Sequence, residues 1–106
     1  MTLATTTTTG MFTIAHDHPA LPGHFPGAPI VPGVVLLEHV LAAIDPDGTL
    51  APLRLRQVKF LRPLLPGETA EIDVAAMEQP GATTGRWRFR VRRGDTLLAT
   101  GEVASA

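Results

Sequence analysis

His24 and Glu38 lie fourteen residues apart and could share one reaction. His24 sits in the stiff stretch Gly23-His24-Phe25-Pro26-Gly27. A neutral imidazole, with an ordinary pKa of about 6.5, accepts a proton well near neutrality. Glu38 stands among Leu36, Leu37, Val40 and Leu41. Burial there would disfavour the carboxylate, push its pKa up and keep the carboxyl protonated as a proton donor. Between them Gly33 opens an apolar run, and an amide at a helix start has no intrahelical partner and lies at the positive end of the dipole. Such an N–H suits an oxygen gaining negative charge, for example a thioester carbonyl on its way to an enolate. Base, acid and oxyanion donor together match removal or addition of water beside a carbonyl. The competing reading is structural: a loop histidine that shapes its turn, and a Glu38 that pairs with Arg62 or faces a subunit partner.

These groups need rigid elements to hold them. Pro19 to Gly33 contains eight of the twenty Gly and Pro residues in fifteen positions. That density excludes helix and strand and fixes the path of a loop through ring-locked φ angles. Val34 to Ile44 is the one predicted helix, ended by Asp45-Pro46-Asp47-Gly48. Nine of its eleven residues are apolar, on every face, so it should be surrounded by protein. With a single helix, the wrapping must come from a sheet. Met11 to His16 alternates weakly and predicts a first strand after a flexible lead, Met1 to Gly10, with its Thr5 to Thr9 tract. Leu53 to Leu61, with Arg54, Arg56 and Lys59 outward, predicts the next strand, and Pro63 to Gly67 a turn. Thr69 to Met77 follows with Ala70, Ile72 and Val74 on one face, then a turn at Gln79-Pro80-Gly81. Arg86 to Arg92 alternates strictly, with Trp87, Phe89 and Val91 opposite the arginines, and Arg93-Gly94-Asp95 turns into Thr96 to Val103. The expectation is an α+β fold, an antiparallel sheet curled around one buried helix, in a single domain over residues 11–106.

Composition excludes several partners. One hundred and six residues with net charge −1 give no bulk electrostatic attraction to nucleic acid or to a membrane surface. The longest apolar stretch, Val34 to Leu37, is far short of the ~20 residues a membrane span needs. Without cysteine there is no thiol nucleophile and no disulfide, which fits a cytoplasmic protein. His16, Asp17, His18 and His24 lack any diagnostic ligand spacing, so no metal site is expected. The arginine row, Arg86, Arg88 and Arg90, reads first as a solvated strand face. Its functional alternative is docking of an acidic carrier protein or of a phosphate.

The stretch from His24 to Glu38 reads His-Phe-Pro-Gly-Ala-Pro-Ile-Val-Pro-Gly-Val-Val-Leu-Leu-Glu. It resembles the signature of the 3-hydroxyacyl-acyl-carrier-protein dehydratases, a hotdog-fold family, and meets every fixed position of that pattern. Val58-Lys59-Phe60-Leu61-Arg62-Pro63 and Pro66-Gly67-Glu68 resemble the strand and turn that follow the family's helix. The resemblance implies His24 as base for the C2 proton, Glu38 as acid to the leaving hydroxyl, and the Gly33 amide on the thioester carbonyl. Phe25, Pro26, Gly27 and Pro32 would shape the substrate loop. It also implies a homodimer, in which each acid comes from the partner subunit, an acyl-carrier-protein substrate, and no metal or organic cofactor. Ala42 stands where the housekeeping members usually carry Gln, so the chain looks more like the compact dehydratases of aryl polyene pathways. Two rivals accompany this reading: a thioesterase in which Glu38 activates water, and a non-catalytic carrier-binding subunit.

Overall fold

A computed structural model describes residues 6–18, 30–50, 52–77 and 85–105. Its elements run β1 (Thr6–Thr13), α1 (Gly33–Ile44), β2 (Leu53–Phe60), β3 (Thr69–Ala76), β4 (Arg86–Arg93) and β5 (Thr96–Ser105). All five strands join one antiparallel sheet in the order β1-β3-β4-β5-β2. The inner face of the sheet packs on α1, the one helix among the described residues. This is the expected hotdog arrangement.

The inner face of the sheet follows from register. Val91 lies opposite Ile72 and Ala99, and Phe89 opposite Val74 and Gly101. These pairs meet Val35, Leu36 and Val40 of α1 in one core that also takes Phe12, Ile14, Leu98 and Val103. On β4, Arg92 donates to Glu71, directly across from it on β3, at 2.6 Å, and diagonally to Asp73, which is paired with Arg90, at 2.7 Å. The Asp73 hydrogen bond is the main reason that the Arg92 guanidinium holds its proton more firmly than usual. At the foot of α1, the Asp45 carboxylate accepts from the amides of Thr49 and Leu50, at 2.9 and 3.0 Å. Asp45→Ala is expected to lower stability by about 0.5–1.5 kcal/mol, read as a fall in urea midpoint at unchanged slope.

Two expectations need correction. The first strand begins at Thr6, so Thr6 to Gly10 is sheet and not flexible lead, and it ends at Thr13 rather than His16. The threonines are β-branched and pair with Val74 and Ala75 across the ladder, while His18 N donates to Ala15 O at 3.1 Å in the turn that follows. The second concerns α1, which its own chain does not surround. Val34 is 60% exposed, and Glu38 and Ala42, one and two turns further on, are exposed with it. The turn expected at Gln79-Pro80-Gly81 and the loop from Pro19 to Pro29 lie outside the described residues.

Candidate active site

Gly33 starts α1 behind Pro32, which is extended (φ −60, ψ 143) and offers no side-chain cap. Proline suits this place because it cannot continue a ladder and fixes the entry of the chain. Val35 N turns back to Pro32 O at 3.0 Å. The N-cap side chain therefore makes no hydrogen bond to the first-turn amides, whose end of the helix carries partial positive charge.

That end opens on a cleft of about 330 Å³, lined by Gly33, Leu36, Phe60, Leu61, Arg62 and Leu64 among others. The far wall is held firmly. Val31 N donates to Leu64 O at 2.8 Å, and Leu61 N and Arg62 N both donate to Leu98 O. Glu68 accepts from Leu65 N and from Arg93, which also reaches Pro63 O. Gly67 has φ +86, a left-handed conformation, and its amide donates to Ile14 O at 2.8 Å. Across the cleft a Cβ on Gly33 would lie 2.6 Å from Phe60 Cζ, well inside contact distance. Glycine at position 33 thus lets the Phe60 ring lie against the helix start, and a larger residue would make the ring shift.

Glu38 does not join this cleft within one chain. It is exposed on the stripe that carries Val34 and Ala42, while Leu36 turns into the cleft. The expected desolvation of its carboxyl is therefore not supplied by its own chain. His39, beside it, stacks on Phe12 with ring centroids 4.1 Å apart and planes 2° from parallel, and so anchors the helix to β1. The sequence reading assigned His39 no role; its position next to Phe12 follows from packing that local pattern cannot give. His24, Phe25, Pro26 and Gly27 lie outside the described residues, and Pro32 is the helix N-cap.

The arginine row divides. Arg86 is tied to Glu102 by an ion pair. Arg88 and Arg90 are exposed on the outer face of the sheet. Arg62, read from sequence only as a possible partner of Glu38, is the cation that lines the Gly33 cleft. Its neighbour Pro63, which takes it off the end of β2, is the sequence signal that could have found it. Among the described residues no three His, Asp or Glu side chains converge as a metal site would need.

Residues 2–102 match a family model described as ApeI-like: ApeI dehydratase. The chain is 29% identical over 108 residues to the 3-hydroxyacyl-acyl-carrier-protein dehydratase FabZ of Dinoroseobacter shibae, covering 91% of this chain and 66% of that one. It is 32% identical over 108 residues to the FabZ of Rhodopseudomonas palustris strain HaA2, covering 92% and 68%. The chain thus spans about two thirds of the length of these relatives. Among solved structures it resembles the dehydratase heterocomplex ApeI:P of Xenorhabdus doucetiae, with TM-score 0.65, 20% identity, and 91% and 84% of the two chains covered. It also resembles the fluoroacetyl-CoA thioesterase FlK, with TM-score 0.70, 16% identity, and 100% and 87% covered. At such identities these structures share the fold.

Proposed function

Because the chain belongs to the ApeI-like dehydratase family, we propose that it removes water from a 3-hydroxyacyl thioester on acyl carrier protein, leaving the trans-2-enoyl product. The observation that carries this reading is the intact His24-to-Glu38 pattern within a family match over residues 2–102. His24 takes the C2 proton, and the electron pair moves toward the thioester oxygen at the Gly33 amide. Collapse of that enolate forms the C2–C3 double bond and expels the 3-hydroxyl, which takes a proton from Glu38 and leaves as water. Return of the proton from the imidazolium to the carboxylate resets the site.

Two chains make the active unit in this proposal. The exposed position of Glu38 supports it, since an acid that does not line its own chain's Gly33 cleft is open to a second chain. So does β2, the last strand in the sheet order, whose free edge is a template for another strand. Phe60, 53% exposed, and Leu61, 50% exposed, add apolar surface at the end of that strand. A second copy of this chain is the occupant we assign. The carrier's arm enters from the Arg62 side, where a guanidinium can meet its phosphate. The docking row on β4 faces away from the helix and does not lead to the cleft. The reaction is placed in the cytoplasm, in a fatty-acid-like or aryl polyene pathway. Among the described residues no helix is long and apolar enough to cross a membrane.

The wild-type protein, given a 3-hydroxyacyl carrier substrate, is expected to yield enoyl-thioester absorbance without free thiol. Thiol release without enoyl product would replace this reading with the thioesterase. Carrier binding with no turnover of any acyl length would replace it with the non-catalytic subunit.

A further inference from the structure

The outer face of the sheet carries a second cleft, away from α1. It is an open depression of about 260 Å³ between β2, β5 and β4, lined by Gln57, Lys59, Arg88, Thr100, Gly101 and Glu102. Its cause is a break in the β2–β5 ladder. Arg56 pairs with Glu102 and Lys59 with Thr100, so Gln57 and Val58 on β2 face only Gly101 on β5. Gln57 has φ 53, the left-handed region that residues other than glycine rarely enter. A bulge of this kind re-aims side chains, and strained backbone of this kind gathers at functional sites.

The polar groups around the cleft have one sign of surplus charge. Lys59 and Arg88 are both exposed, and neither side chain makes a hydrogen bond or ion pair among the described residues. Glu102, the acid on the rim, is already engaged by Arg86. Exposed Arg54 and Arg56 on β2 and Arg90 on β4 extend the positive field along the same face. This surplus stands against a chain of net charge −1, so the cations are concentrated here rather than spread. The field also opposes stacking of two such faces on one another, which leaves an anion as the fitting ligand. A compact tetrahedral dianion matches an ammonium, a guanidinium fork, an amide and a hydroxyl around one small space.

We propose that the bulge cleft formed by Gln57, Lys59, Arg88 and Thr100 is a binding site for a phosphate group, distinct from the Gly33 cleft. It opens between β2 and β5, on the side of β2 away from the free edge, so pairing of that edge with a second chain leaves it accessible. The site stands whatever reaction the Gly33 cleft performs. Free phosphate and a phosphate monoester share this chemistry.

The test is titration of the full chain with inorganic phosphate, and separately with glycerol phosphate, at fixed ionic strength, followed by amide chemical shifts. Saturable shifts centred on Gln57, Lys59 and Gly101 are expected. Lys59→Ala and Arg88→Ala should each weaken binding about tenfold, as loss of one charge-assisted hydrogen bond implies. Arg54→Ala removes the same charge from β2 outside the cleft and should leave affinity within about twofold. If Arg88→Ala does not fold, Lys59→Ala decides alone. Stronger saturable binding of the monoester identifies an esterified phosphate as the ligand; equal binding identifies the free ion. Absence of saturation, an equal effect of Arg54→Ala, or shifts centred on α1 would overturn the proposal.

Discussion

Glu38→Gln and His24→Ala are each expected to lower the dehydration rate by ~10²–10⁴, the usual contribution of a positioned acid or base. Mixing the two inactive proteins after separate purification should then restore activity. If each site takes His24 from one chain and Glu38 from the other, half of the randomly formed dimers hold one intact site out of two. The recovered rate should approach about a quarter of wild type. The measurement is enoyl formation on a 3-hydroxyacyl carrier substrate against mixing time, with subunit exchange confirmed by native mass spectrometry. No recovery despite exchange would mean that both residues serve the same chain's site, and would remove the shared-site arrangement. A rate unchanged in both single variants would remove the acid–base assignment itself. The physical ground is the open stripe of α1. Glu38 lies five residues beyond Gly33, about 140° further around the helix and ~7.5 Å along it. One chain therefore presents its oxyanion donor and its acid in different directions.

That same stripe marks where sequence reasoning stopped. Period and turn chemistry placed α1 to within one residue at its start, and placed β2 to β5 with small differences at their ends. Those elements are legible because α1 is one unbroken apolar run ended by Asp45-Pro46-Asp47-Gly48, and the strands alternate most clearly at β4, between turns rich in Gly and Pro. The threonine tract of β1 has no alternation, so propensity alone had to be weighed against fraying at a terminus. In the structure, pairing with β3 settles the matter. The nine apolar residues of the Val34–Ile44 helix were read as surrounded by protein, with Glu38 left to an arginine or a subunit partner. Composition reports only that apolar surface must be covered, not whose surface covers it. The bulge at Gln57 did leave a trace. Arg54 and Arg56 are two apart but Lys59 follows after three, and outward residues keep that spacing only if the strand holds an extra residue. The His39–Phe12 stack left none, because its partners are twenty-seven positions apart and local pattern does not pair residues at that distance.

Gly33→Ala should separate the two things that position 33 does. The added methyl would lie 2.6 Å from Phe60 Cζ and 2.8 Å from Cε1, so one of them has to move. Phe60 is 53% exposed in the single chain, and the atoms met are the far end of its ring, the part of the contact best able to give. The stability cost should accordingly fall at the low end of the overpacking range, about 1 kcal/mol. The catalytic cost should be much larger. Displacing the ring reshapes the wall of the cleft beside the amide, and misplacement of a bound group by ~1 Å can lower a rate about 10²-fold. Turnover of a hydroxyacyl carrier substrate should therefore drop while the thermal midpoint shifts by only a few degrees, about 4–8 °C per kcal/mol for a domain near this size. The double variant Gly33→Ala with Phe60→Ala removes the clash and leaves the amide in place. Recovery of rate in the double variant over Gly33→Ala would assign the loss to the ring. If the double variant stays as slow while Phe60→Ala alone is active, the methyl itself obstructs the thioester at the helix start. A Gly33→Ala protein with wild-type turnover would show that the position of the Phe60 ring does not set the rate.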